Sequence, residues 1–180
     1  MHILLNTIAT LALSAGFTAS AQNNVALKTN LLLDAALSPN LAAEVGVAPR
    51  WSVEVGGSFN DWAPGGKLWK HWFVQPEVRY WLCERFAGHF FGAHLIGGEF
   101  NVAPIHNKRY QGRGFGAGAA YGYTHMLSRH WSIEAEIAVG WIRARYDVFP
   151  CATCGTRLET GKTRNYVGPT KAAVNLIYVF

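Results

Sequence analysis

Apolar and polar residues alternate with a period of two along most of this chain. Over 25–37 the odd positions read Val25, Leu27, Thr29, Leu31, Leu33, Ala35 and Leu37, while the even ones include Lys28, Asn30 and Asp34. Such alternation predicts a strand with one oily and one polar face. After Ser38-Pro39-Asn40 it resumes as Leu41, Ala43, Val45 and Val47 against Glu44 and Gly46, which predicts a hairpin. A third segment follows Pro49-Arg50, with Trp51, Val53, Val55, Gly57 and Phe59 opposed to Ser52, Glu54, Ser58 and Asn60. Segment 71–82 sets Trp72, Val74, Pro76, Val78, Tyr80 and Leu82 against Phe73, Gln75, Glu77, Arg79 and Trp81. Pro76 removes one ladder donor, so a bulge or local distortion is expected there.

Four more segments complete the series. Residues 89–98 are apolar or Gly on both faces; we place Phe91, Ala93 and Leu95 outward and His94 inward. In 113–126, Phe115, Ala117, Ala119, Tyr121 and Tyr123 alternate with Gly114, Gly116, Gly118, Ala120 and Gly122, which leaves one face almost without side chains. Segment 131–145 is the clearest, with Trp131, Ile133, Ala135, Ile137, Val139 and Trp141 against Ser132, Glu134, Glu136, Ala138 and Gly140. The last, 170–180, sets Ala172, Val174, Leu176, Tyr178 and Phe180 against Lys171 and Asn175. No later segment holds the 18 or so uninterrupted apolar residues of a spanning helix, whereas strands of about ten residues suffice to cross a bilayer when tilted. With a periplasmic amino end, the connections on one side (49–50, 83–88, 127–130) are short, and long ones (61–70, 99–112, 147–169) fall outside. That asymmetry belongs to outer-membrane barrels. The expected fold is all-β: an eight-stranded antiparallel up-and-down transmembrane β-barrel. The alternative is a soluble lipocalin-like barrel, which would point its apolar residues inward.

The first 21 residues carry no Asp, Glu, Lys or Arg and end in Ala19-Ser20-Ala21, as a cleavable signal peptide does. The positive charge of its leading region is confined to His2 and the amino terminus, and its apolar run is shorter than a membrane anchor needs. The expected division is therefore a signal peptide over 1–21 and a barrel over 22–180. Half of the 180 residues are hydrophobic and only 15% are charged, which excludes disorder. The formal charge is +5, but the basic residues are scattered singly, which argues against a nucleic-acid partner. Cys151 and Cys154 form a C-x-x-C in a Gly- and Thr-rich stretch and suit a local loop disulfide; no second such pair or His pair suggests a metal, and no cofactor is expected.

With the oily face outward, the interior would collect Lys28, Asp34, Glu44, Glu54, Glu77, Arg79, Glu134, Glu136 and Lys171. Ionised groups away from water persist when paired, so a charge network centred on Arg79 is expected, its guanidinium bridging carboxylates. A barrel of this size is filled by its own side chains or holds one small ligand, so a wide pore is excluded. Trp51, Trp81, Phe86, Trp131 and Phe180 at one end, and Trp62, Trp69, Trp72, Trp141, Phe149, Tyr110 and Tyr166 at the other, read as interface belts. Arg143 and Arg145 continue the outward register beyond Trp141, where they would meet lipopolysaccharide phosphates.

The block Trp72 to Trp81 (WFVQPEVRYW) and the following Cys83 to Gly92 resemble the signature of a bacterial domain-of-unknown-function family of small exported proteins, as do Asn30 to Asp34, Pro39-Asn40-Leu41 and the closing Lys171 to Phe180. The resemblance implies an outer-membrane β-barrel without assigned activity, in a family associated with fimbrial or surface-assembly genes. Tyr178 and Phe180 resemble the terminal signal read by the barrel-assembly machinery. The expected role is structural or surface-binding, with outer-membrane lipid, lipopolysaccharide or a fimbrial protein as partner. The alternatives are a lipid A acyl hydrolase or acyltransferase, for which His125 with Ser128, or His71 and His106, are the candidates, and a narrow channel.

Overall fold

A computed structural model describes residues 25–62, 68–105, 108–151 and 155–180. The region expected to be a signal peptide, His106 and Cys154 lie outside the described residues. Eight antiparallel strands follow one another around a closed barrel: β1 (Val25–Asn30), β2 (Asn40–Ala48), β3 (Trp51–Trp62), β4 (Leu68–Trp81), β5 (Gly88–Ile105), β6 (Lys108–Met126), β7 (Trp131–Phe149) and β8 (Glu159–Val179). Each strand pairs with the next, and β8 returns to β1 with Lys28 opposite Ile177 and Asn30 opposite Asn175. One helix, α1 (Leu31–Ala35), links β1 to β2. No helix among the described residues is long and apolar enough to cross a membrane.

Alternation becomes orientation because successive side chains on a strand point to opposite faces. Leu41, Val55, Phe91, Leu95, Phe115, Ile137 and Val139 lie exposed on the outside, while Lys28, Glu44, Glu54, Glu77, Arg79, Glu134 and Glu136 are buried within. The interior is crowded, and the Gly-rich inner face of β6 makes room for it. A Cβ on Gly118 would stand 2.6 Å from Val139 O and 2.7 Å from His94 Cε1. One on Gly122 would meet the Phe90 ring at 2.3 Å.

Four expectations are corrected. The segment 25–37 is not one strand: β1 stops at Asn30, whose side chain accepts from Leu32 N at 3.1 Å and caps α1. The described residues of the connections expected over 61–70, 99–112 and 147–169 are largely strand, because the hairpins continue their ladders outward, Ile105 pairing with Lys108 and Val148 with Glu159. Pro76 interrupts the ladder to β5, where Gln75 and Pro76 have no partner, but produces no bulge: it sits opposite Val55, and pairing with β5 keeps the same offset on either side, Val74 to Gly97 and Glu77 to His94. Trp81 and Phe86 belong to no outer belt. Both are buried, and with Ala26, Phe90, Ile177 and Val179 they form an apolar plug at the end of short turns. Phe149, also expected in a belt, is buried with the Arg109 guanidinium 3.9 Å above its ring.

The two ends of the barrel therefore differ. At the proximal rim, turns such as Leu127–His130 close the hairpins, with Leu127 N and Ser128 N both bonded to Trp131 O. At the distal rim, β3 to β8 run on past β1 and β2, and α1 sits against β8 beside this low stretch of wall.

Candidate functional site

The barrel interior is built around Arg79, which projects from β4 and has no exposed surface. Its Nε donates to Glu77 Oε1 at 2.6 Å. Nη1 donates to Glu44 Oε2 at 3.1 Å and to Glu134 Oε2 at 3.1 Å. Nη2 lies 2.7 Å from Glu136 Oε2 and 2.9 Å from Glu54 Oε2. A planar fork with five N–H donors can serve carboxylates from several directions at once, which a Lys could not do from one place. The guanidinium also stands 4.4 Å from the centre of the Phe90 ring, so its face is covered as its edge is bonded.

Two lysines complete the set. Lys28 of β1 pairs with Glu44 and lies 3.0 Å from both Glu54 Oε2 and Glu134 Oε2. Lys171 of β8 reaches Glu136 Oε1 at 2.9 Å, Glu77 Oε2 at 3.1 Å and Glu54 Oε1 at 3.2 Å. Carboxylate oxygens of Glu54, Glu77 and Glu136 lie close enough together to hold a cation. The Lys171 ammonium already occupies that position among them. Neutral donors take up remaining lone pairs: Thr124 Oγ1 and Asn175 Nδ2 each donate to Glu134 at 2.8 Å. Trp81 Nε1 donates to Ser52 Oγ at 2.8 Å, and Ser52 donates to Glu44, which ties the apolar plug to the charges above it. Three cations thus face five carboxylates, a formal excess of two negative charges, with Lys171 alone keeping partial access to solvent.

Of the residues expected inside, Asp34 is elsewhere. It lies on α1, exposed, accepting from Thr29 Oγ1 at 2.7 Å and Asn40 Nδ2 at 2.8 Å. The change follows from the cap at Asn30, which ends the alternation that put Asp34 in register with Lys28. His94 points inward as expected, with Nε2 3.1 Å from Thr170 Oγ1 and Nδ1 4.0 Å from Glu77 Oε2. Sequence alternation alone did not single out Thr124 and Ser52 as members of the network, since a small hydroxyl on a polar face carries no signal of its own.

Above the charges the interior opens in two steps. A cavity of about 230 Å³ lies between Lys28, Gln75 and Lys171 on one side and Leu33, Phe73 and Ile96 on the other. Nearer the distal rim a cup of about 590 Å³ is lined by Asn60, His71, Phe100, Tyr146, Asp147 and Arg157. It holds two ion pairs, Arg157 lying 3.3 Å from Asp147 and Lys70 2.5 Å from Asp61, and Glu99, Arg113 and Arg145 line it as well. Farther out, Lys162 hydrogen-bonds the Glu159 carboxylate, which raises the ammonium pKa above its ordinary value.

The remaining candidates are dispersed. Arg143 and Arg145 are exposed on the outer face of β7, and Arg113 of β6 stands directly opposite Arg145. Tyr178 packs edge-on against both Trp131, with centroids 5.1 Å apart, and Phe180, at 5.0 Å. Cys151 is in a disulfide, while Cys83 is a free, exposed thiol. Ser128 Oγ accepts from Trp131 N at 3.2 Å, the role of a turn residue. Among the described residues, no hydrogen bond joins Ser128 to His125. His71 lies on β4, with its ring stacked 6.0 Å from Phe73.

Comparison with known proteins adds one finding. A family described as a protein of unknown function, DUF3575, matches residues 7–180. No curated protein and no solved structure matches the chain.

Proposed function

This chain belongs to the DUF3575 family of proteins of unknown function, and from the geometry of its two faces we propose that it is an integral outer-membrane barrel with a structural, surface-binding role. The observation that carries the reading is the inverted distribution of polarity. Large apolar side chains from Leu41 to Val167 stand exposed around the outside, and ionised ones fill the middle. In water, an outside of this kind would expose far more contiguous apolar surface than soluble monomers carry. Against acyl chains the same surface is solvated, and the return of β8 to β1 closes the ladder into a ring over the height that all eight strands share.

The dimensions support it. From Trp131 to Trp141, at about 3.3 Å of rise per residue along a strand tilted by about 40°, β7 covers about 25 Å of height. Both ends of that span carry an indole, a side chain suited to the headgroup layer. In this placement the proximal rim, with its short turns, faces the periplasm and the extended hairpins face the exterior. A leader over 1–21 would direct export, and Tyr178 with Phe180 would serve the barrel-assembly machinery. The hairpins then offer a surface to lipopolysaccharide or to a fimbrial or other surface-assembly protein, as the family resemblance implies.

The test is fractionation of cells producing the full chain. The protein is expected in the outer-membrane fraction, resistant to alkaline extraction, and to migrate faster on a detergent gel when unheated than when boiled. Recovery of the mature chain in the aqueous fraction without detergent would overturn the proposal.

A further inference from the structure

Resting on the membrane placement above, we propose that the outer wall of β4 to β7 holds a specific site for a phosphate-bearing lipid, its headgroup bound by Arg113, Arg143 and Arg145 and an acyl chain laid in the groove beneath them. The strand register builds this site. Trp72, Glu99, Arg113 and Arg145 are successive cross-strand neighbours in one row around the barrel. The next row inward from the distal rim reads Val74, Gly97, Phe115 and Arg143, and the one below it Pro76, Leu95, Ala117 and Trp141. Pro76 is placed in that row by the constant offset of β4 against β5.

Two features set this surface apart from the rest of the apolar band. The first is charge. Arg113 and Arg145 sit directly opposite one another, an arrangement that destabilises a sheet unless something neutralises it. No ion pair within the protein does so: among the described residues none of the three arginines has a carboxylate in ion-pair range, and Glu99, the nearest acid in the row, is engaged by Trp72 Nε1 at 3.2 Å. Three forked donors on the exposed outer face at the upper limit of the band match phosphate oxygens, which Arg binds bidentately.

The second is shape. Gly97 leaves a gap between Val74 and Phe115, and a Cβ placed on it would meet nothing within 4 Å. The depression there measures about 910 Å³ and runs down from the arginines over Val74, Leu95 and Phe115. A cleft with an apolar floor and a cationic upper lip is complementary to an amphiphile with an anionic head. A free phosphate would use the lip and leave the floor bare.

The experiment uses the barrel folded into phosphatidylcholine vesicles containing a minor fraction of phosphatidic acid, followed by native mass spectrometry of the released complexes. Wild-type protein is expected to retain phosphatidic acid in preference to phosphatidylcholine. The double variant Arg113→Gln/Arg145→Gln should lose about tenfold of that preference, the size expected for one or two charge-assisted bonds. Gly97→Leu should fill the groove and lower retention of both lipids. Arg129→Gln, which removes an exposed cation from the proximal rim instead, should leave the preference unchanged. Insertion with equal retention by wild type and the arginine variant would overturn the site while leaving the membrane placement standing. Failure of the wild-type chain to enter vesicles at all would overturn both.

Discussion

Arg79 sits where no solvent reaches, so the energy of its position depends on what replaces water around the guanidinium. Carboxylates of Glu44, Glu54, Glu77, Glu134 and Glu136 do so, four of them from other strands. Arg79→Met would leave those acids facing only two lysines, and breaking a buried pair from one side costs about 3–5 kcal/mol. Unfolding by urea in detergent should show a loss of that order. Glu136→Gln is the instructive contrast. Acids outnumber cations in the network, so removing one negative charge leaves Arg79 and Lys171 with other partners. Its effect is expected to stay within about 1 kcal/mol, and a loss as large as that of Arg79→Met would contradict the charge count. The membership of the network was legible in the chain wherever period two held: Lys28, Glu44, Glu54, Glu77, Arg79, Glu134, Glu136 and Lys171 all fall on polar positions of alternating segments. Asp34 was misplaced because a single capping amide ended the alternation four residues earlier, and a local hydrogen bond of that kind leaves no periodic trace.

The elements show how far a local pattern reaches. In β6 the run of glycines weakens the strand intrinsically, yet its inner face must be bare because His94 and Phe90 of β5 occupy the space. Gly118→Val should therefore destabilise the barrel by about 1–3 kcal/mol through overpacking against Val139 O and the His94 ring. Gly97→Ala, on the opposite face of the neighbouring strand, should have little effect, and the difference in urea midpoint between the two variants checks the assignment of faces. Element lengths were less legible. The outer part of β8 lacks clean alternation because its residues from Lys162 to Val167 are exposed on either side. Nothing there selects for an oily face, and only the continuing ladder makes them strands. Pro76 illustrates the reverse case, a residue that removes a donor without displacing its neighbours.

At the scale of the whole molecule, two layers obstruct the barrel: the ionic network, and below it the plug of Trp81, Phe86, Phe90 and Ile177. A purified monomer in a planar bilayer is accordingly expected to show no steady single-channel conductance, and sustained current at neutral pH would argue that the interior opens. Trp81→Ala, which removes the largest plug side chain and its bond to Ser52, should lower stability by about 3–5 kcal/mol before it creates any path, since the charges above remain in place. Wherever the alternation held, the chain by itself determined which residues face out and which face in, because the two-residue period of a strand is a property of each segment alone. Closure of β8 onto β1, the offsets that bring Glu44, Glu54, Glu134 and Glu136 around one guanidinium, and the row that unites Arg113 with Arg145 were decided only in three dimensions. Those depend on hydrogen bonds between residues far apart in the chain, such as the ladder that sets Lys28 beside Ile177, and no local pattern encodes the register of such a pairing.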